Sequence, residues 1–191
     1  MKTIEQIEDY AHEQHIPIAR RPVVDFMINL IKENNYKSFL EIGTAIGYTT
    51  SVLYSEFNYL KITTIEKNEI RGCIANTNFV DLGILDKINF IMGDATTFET
   101  DEMFDLIFID ASKKKNKFYL DKFTPNLSEN GTIIIDNLNL DDLWVNCDPK
   151  KKKMFDNVNK ELEEYIKSSD KYDSNFYFDI GDGIAVIKHK R

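Results

Sequence analysis

Acids and amides stand just past the apolar runs of this chain: Glu41 within SFLEIG, Glu66 after KITTI, Asp94 after NFIMG, Asp110 after FDLIFI, and the pair Asp136 and Asn137 after TIII. Residues at the ends of successive strands converge where an open α/β sheet binds its ligands, so these side chains are candidates for one site. Asp110, Asp136 and Asn137 would offer three hard oxygen donors, a set that suits Mg2+ or Mn2+ with the remaining positions left to water or substrate. Carboxylates brought that close repel one another, and a divalent cation relieves the repulsion. Two plainer readings stand beside this one: Asp94 as a helix cap, and Asp136 with Asn137 as a polar strand exit.

The turn that would organise such a site lies within Ser38 to Ser51, SFLEIGTAIGYTTS. An apolar run meets a turn bounded by Gly43 and Gly47, and a helical segment follows at once. Glycine permits positive φ and close approach of a ligand to the backbone, while the first amides of the helix are unpaired donors at its positive dipole end. The dinucleotide pattern G-x-G-x-x-G is not met, because Thr44 and Ala45 stand where a second close glycine belongs, and a pyrophosphate would fit poorly. Glu41, just before the turn, places a carboxylate near a cationic ligand, and S-adenosylmethionine is such a ligand. Glu66 follows about 20 residues later, where an acid accepts hydrogen bonds from both ribose hydroxyls of either cofactor type. A strand-to-helix turn that binds nothing is the bland alternative.

The elements that would position these residues can be read in order. Thr3 to Gln14 has helical period and stops before Pro17; a second helix begins at Pro22 and carries Val23, Val24, Phe26, Met27, Leu30 and Ile31 on one stripe. Strands are expected at Lys37 to Ile42, Lys61 to Ile65, Lys87 to Met92, Phe104 to Ile109 and Gly131 to Ile135. Between them, helices are expected at Tyr48 to Phe57, at Asn68 to Leu82 with Gly83 as its cap, and at Lys115 to Leu127 despite Pro125. A polar loop runs through Asp148, a long helix spans about Lys151 to Ser168, and Ser174 to Ile180 pairs with Gly183 to Lys188 through Gly181, Asp182 and Gly183. Continuous apolar strands alternating with helices imply a parallel sheet covered on both faces.

At 191 residues the chain is expected to form one domain, residues 1–191, with N-terminal helices over 1–35. Cys73 and Cys147 lack metal-ligand or redox spacing and read as free thiols; with His12, His15 and His189 they form no zinc cluster. The N-terminus lacks the apolar core of a signal peptide and no apolar run is long enough to cross a bilayer, so a cytoplasmic protein without membrane contact is expected. The net charge of −8 argues against a broadly basic nucleic-acid-coating surface. Basic residues nonetheless bunch at Arg20 and Arg21, at Lys113, Lys114, Lys115 and Lys117, and at Lys150 to Lys153; a solvated face is the plain reading of any one run.

The strings EIGTAIGYTT, TIEKN, MGDA, FIDASK, IIIDN and IGDGIAV, in this order and spacing, resemble the class I S-adenosylmethionine methyltransferases of the catechol and caffeoyl-CoA O-methyltransferase family, from about Ile16 to the C-terminus. Within it, EIGTAIGY and the upstream YAHEQHIPI are most similar to the bacterial tRNA 5-hydroxyuridine methyltransferases. The resemblance implies a Rossmann-like seven-stranded, mostly parallel sheet with helices on both faces and a C-terminal antiparallel strand. It implies S-adenosylmethionine contacts at Ala19, Gly43, Thr49, Glu66, Asp94, Ala95 and Asp110, and Mg2+ (or Mn2+) on Asp110, Asp136 and Asn137. Lys113 and Asp110 fall at catalytic positions, with Lys114 and Lys115 the neighbours a one-residue shift would select. A homodimer acting on tRNA, or on a small catechol-like acceptor, is implied as well. The chain is shorter than is usual for the family near Phe98 to Met103 and in the loop after Asn137, which helps to select substrate, so the acceptor stays open. A non-catalytic nucleotide-binding module, such as one that binds NAD, is the alternative of another class.

Overall fold

Alternation along the strands decides the architecture. Odd and even positions of one strand fall on opposite faces, and here both faces are apolar: Phe39, Leu106, Phe108, Ile134 and Val186 enter one buried cluster, and Leu40, Ile107, Ile109, Ile135 and Ile187 enter another. A sheet of such strands has no solvated side and must be covered twice. The computed structural model describes residues 2–139 and 148–190. Cys147 and most of the polar loop after Asn137 lie outside the described residues.

The elements run α1 (Ile4–Glu13), α2 (Arg21–Asn34), β1 (Ser38–Ile42), α3 (Tyr48–Glu56), β2 (Lys61–Glu66), α4 (Glu69–Asp81), β3 (Asn89–Met92), β4 (Phe104–Ile109), α5 (Asn116–Phe123), β5 (Leu127–Asp136), α6 (Pro149–Ser168), β6 (Tyr172–Tyr177) and β7 (Ile184–His189). The seven strands form one sheet in the order β3-β2-β1-β4-β5-β7-β6. The first five are parallel; β7 pairs antiparallel with β5, and β6 antiparallel with β7. Strand order reverses between β1 and β4, which opens a crevice above their carboxyl ends. Helices α1, α2 and α3 cover the first cluster, with Ile7, Met27, Ile31 and Leu53 fully buried. Helices α5 and α6 cover the second through Leu120, Phe123, Leu162 and Ile166. Among the described residues no helix is long and apolar enough to cross a membrane.

Strand β3 begins at Asn89 rather than Lys87, after a 3-10 turn at Leu85–Lys87, and β6 spans Tyr172–Tyr177 rather than Ser174 to Ile180. Two further boundaries differ from the sequence expectation for a clear local reason. The helix expected through Leu127 ends at Phe123, and the chain tightens into a single 3-10 turn at Thr124–Asn126. Pro125 has no N–H to give the carbonyl four residues earlier, so the α ladder cannot continue. Strand β5 begins at Leu127 rather than Gly131, pairing Phe104 with Leu127 before a register shift resumes at Leu106 and Thr132. A bulge absorbs the extra residues that made Gly131 look like the strand's start.

Glu41, only 1% exposed, is a structural hub of the parallel half. Its carboxylate accepts from the Thr50 hydroxyl of α3 at 2.7 Å and the Thr64 hydroxyl of β2 at 2.5 Å, with Thr49 also in reach. Because Thr64 spends its one hydroxyl proton there, Thr44 is the donor of the 2.6 Å bond between Thr44 and Thr64. Burial pushes the Glu41 carboxyl up to about 7 against those hydroxyls. The folded protein therefore keeps this proton between the ordinary glutamate value and about 7, while the unfolded chain loses it. Stability falls as pH rises through that window, by on the order of 3 kcal/mol. Glu41→Gln removes the titration. Denaturant unfolding at pH 5 and pH 8 should show the variant gaining on the wild type by roughly 2–3 kcal/mol at the higher pH; parallel pH profiles would refute this account of Glu41.

Candidate functional site

The turn after β1 is built by close backbone approach. The Gly43 and Thr44 amides both donate to the Ile65 carbonyl of β2, and the Asp110 amide donates to the Ile42 carbonyl. Gly43 has φ +105°, and a Cβ there would sit 2.3 Å from the Asp110 carbonyl oxygen. Gly47 has φ +86° and its Cβ would lie 2.6 Å from the Phe79 ring. Both glycines thus serve the packing of this turn against β4 and α4, which is why the dinucleotide spacing is not needed. Glu66 locks the turn from the next strand: its two oxygens accept from the Ala45 and Asn68 amides, each at 2.7 Å. A carboxylate oxygen can accept twice, so both retain capacity for a ligand.

Above the carboxyl ends of β1, β2 and β4 lies a cleft of about 640 Å3, within the range of small-molecule sites. Of the residues chosen from sequence, Gly43, Glu66, Ala95, Asp110, Lys113 and Asn137 line it. The others sit elsewhere. Glu41 and Thr49 are buried beneath the turn, and Ala19 is buried in the core on the α1–α3 side. Asp94 stands at the side of the cleft, paired with Lys67 at 2.5 Å and accepting from the Thr96 amide; Lys67 holds its carboxyl well below the usual range. Asp136 is 2% exposed and lies behind Asn137. The sequence reading passed over Pro17, Ala45, Arg71 and Tyr119, which also line the cleft. Pro17, Ala45 and Tyr119 carry no chemical signal that sequence alone would pick out, and Arg71 is a lone charge on a helix until the fold brings it to the cleft.

At one end of the cleft charges are concentrated. Lys113 Nζ donates to Asn137 Oδ1 at 2.6 Å, whereas Lys114 is exposed and Lys115 lines the cleft. Burial and then the Asp136 charge raise the Asp110 carboxyl far above its ordinary value, with Lys113 opposing. Burial likewise raises Asp136, and it lowers the Lys113 ammonium while Asp110 and Asp136 pull it back. Asp136 Oδ1 accepts the Asn137 amide at 2.7 Å, but its buried Oδ2 has no hydrogen-bond partner among the described residues. A buried oxygen without a donor is costly, and a cation would satisfy it. Asp110, Asp136 and Asn137 therefore fit a hard divalent ion by donor chemistry, although among the described residues no cluster of three or more His, Cys, Asp or Glu side chains is arranged to hold a metal.

Two neighbours that the sequence reading did not single out shape this end. Asp182, in the turn between β6 and β7, accepts from Arg20 Nε at 3.1 Å and from Asn137 Nδ2 at 3.5 Å. Asn159 of α6 donates to the carbonyls of Asn137 and Leu138. The string IGDGIAV contained Asp182, but a hairpin turn explained it so fully that its side chain carried no signal.

A family model described as O-methyltransferase matches residues 5–190. Among solved structures, the chain is 32% identical, with TM-score 0.86, to a Staphylococcus aureus protein provisionally named a caffeoyl-CoA O-methyltransferase, covering 100% of this chain and 93% of that one. It is 25% identical, with TM-score 0.75, to the SAH-bound methyltransferase PaMTH1 of Podospora anserina, covering 91% and 80%. An O-methyltransferase of Bacillus cereus in complex with SAH shares the fold at 23% identity and TM-score 0.78, covering 100% and 92%.

Because a side chain at Gly43 meets a backbone carbonyl rather than a movable side chain, Gly43→Ala should lose at least about 2–3 kcal/mol of stability, a fall in Tm of several degrees. The loss should be accompanied by loss of cofactor binding. Thermal melts and equilibrium binding check both, and a wild-type melting temperature would refute the close approach.

Proposed function

Since the chain belongs to the O-methyltransferase family, which spans it almost end to end, we propose that it is a divalent-metal-dependent enzyme that methylates the 5-hydroxyl of 5-hydroxyuridine at the tRNA wobble position to give 5-methoxyuridine. Its class is that of an S-adenosylmethionine-dependent O-methyltransferase, which sets aside the non-catalytic nucleotide-binding alternative. The observation that carries the finer reading is the meeting of Asp110, Lys113 and Asn137 in the same cleft as the Gly43 turn and Glu66.

Each residue has a part in that chemistry. The free acceptor capacity of Glu66 suits the ribose hydroxyls of the cofactor, and the Gly43 turn admits it close to the backbone. S-adenosylmethionine supplies an electrophilic methyl group on a sulfonium, whose bonding pair returns to sulfur on transfer. A divalent cation on Asp110, Asp136 and Asn137 would supply Lewis-acid activation of the acceptor hydroxyl and hold it in place. Lys113, whose ammonium is destabilised by burial, is suited to take the hydroxyl proton at Nζ or to stabilise the developing oxyanion. An enol-like 5-hydroxyl is acidic in the way a catechol hydroxyl is, so the same groups serve both acceptors.

Support for a nucleic-acid acceptor comes from charge placement. In a chain of net charge −8, Lys67, Arg71, Lys113 and Lys115 all line the cleft, and α6 begins with four consecutive lysines, Lys150 to Lys153. With Lys67 held on Asp94 and Lys113 on Asn137, Arg71 and Lys115 are the lining cations that suit phosphate contacts, which position a strand without reading its sequence.

Purified protein should be incubated with labelled S-adenosylmethionine, Mg2+ and either tRNA bearing 5-hydroxyuridine or a simple catechol. Label recovered as 5-methoxyuridine is expected, and the rate at subsaturating tRNA should fall at least tenfold between about 50 and 200 mM salt. Label in the catechol alone would assign the enzyme to small-molecule acceptors. In the same assay Asp136→Ala should lower kcat by about 100-fold or more and leave the S-adenosylmethionine Kd within about twofold. An unchanged metal-dependent rate would remove the metal assignment.

A further inference from the structure

We propose that Asp182 is a positioning residue: its carboxylate holds the amide of Asn137 so that the Oδ1 end, and not the NH2 end, is presented to the reacting groups. The two ends of an Asn side chain are nearly the same size, so packing alone does not choose between them; only hydrogen-bond partners do. Asp182 accepts and cannot donate when ionised, and its Oδ2 lies 3.5 Å from Asn137 Nδ2. On the opposite end, Asn137 Oδ1 takes the Lys113 ammonium at 2.6 Å. A donor on one side and an acceptor on the other give the amide a single satisfied orientation.

Asp182 is itself fixed. It is 8% exposed, and Arg20 Nε donates to the same Oδ2 at 3.1 Å, which compensates the buried charge. The backbone of the turn is fastened independently of the side chain: Leu138 N donates to the Gly183 carbonyl at 2.9 Å and Asn139 N to the Asp182 carbonyl at 2.7 Å. Asn137 adopts φ +65°, and Asn159 clamps its carbonyl and the next from α6. With the main chain held from both sides, the orientation of the Asn137 amide is the freedom left to the Asp182 carboxylate. The same ion pair joins the start of α2 to the turn, and the turn packs closely there as well, since a Cβ on Gly181 would meet Val23 and the Arg20 side chain. This assignment rests on the reading of Asn137 as an oxygen donor to a divalent cation.

A double-mutant cycle tests it, with Mn2+ binding followed by electron paramagnetic resonance and kcat as a second readout. Asp182→Ala and Asn137→Ala should each weaken Mn2+ binding by at least about tenfold with the S-adenosylmethionine Kd unchanged, and the double variant should bind no more weakly than Asn137→Ala. Exchange of the pair, Asn137→Asp with Asp182→Asn, keeps the total charge and again leaves an oxygen facing the cleft. Because the carboxylate introduced by Asn137→Asp presents an oxygen whichever way it turns, the pair should bind Mn2+ within about threefold of Asn137→Asp alone. A further loss on adding Asp182→Asn would overturn the positioning role, so this comparison carries the test if Asp182→Ala does not fold. Additive losses in the cycle, or Asp182→Ala binding as tightly as wild type while Asn137→Ala is weakened, overturn the positioning role alone. Asn137→Ala binding Mn2+ as the wild type does overturns the metal reading and this inference together.

Discussion

Everything near the cleft depends on an excess of buried negative charge at the ends of β4 and β5. Asp110, Asp136 and Asp182 come together where Lys113 and Arg20 are the neighbouring cations. Burial makes each ionised carboxylate expensive, and mutual repulsion adds to the cost. The protein answers with three devices: a half-desolvated lysine on Asn137, an arginine on Asp182, and a backbone amide on one oxygen of Asp136. The second Asp136 oxygen is left without a donor. Such a surplus is destabilising unless function uses it, and perturbed titratable groups gathered in a cleft are the physical mark of a working site.

The distance between the two halves of the site is set by the pairing of β1 with β4, by the Asp110 amide on the Ile42 carbonyl, and by one close backbone approach. Gly43 touches the backbone at Asp110, so the turn expected to receive the cofactor and the strand end that begins the charged cluster cannot drift apart. Glu66 then fixes the turn from β2 through two amides, and Glu41 fixes it from below through the threonine hydroxyls. Three strand ends are thereby locked before any ligand arrives, which is the preorganisation that a transfer between two bound molecules needs.

In a chain of net charge −8 the cleft carries both signs, with Lys67, Arg71, Lys113 and Lys115 in its lining beside Glu66 and Asp110.

The strand-helix alternation, the two-sided burial of the sheet and the tight turn after β1 were legible in the sequence, because they follow from periodicity and from glycine, the residue that tolerates close backbone approach. So were the acids at strand ends, since apolar runs announce where a strand stops. The strand order whose reversal opens the cleft was not, because pairing between strands far apart in the chain leaves no local signal. Nor could the sequence decide which way each acid faces. Glu41 and Glu66 are both glutamates at the end of a β-branched or apolar run, yet one is spent on threonines from α3 and β2 and the other lines the cleft. Likewise Asp94 pairs with Lys67 beside the cleft, and Asp182, read as a hairpin turn, reaches Asn137 from 45 residues away. The sequence alone determined which segments form strands and, to within a residue, where the parallel ones end, because backbone propensity and side-chain parity are local. Tertiary structure decided the role of each polar side chain, because a buried charge is settled by partners that only the folded chain brings within about 3 Å.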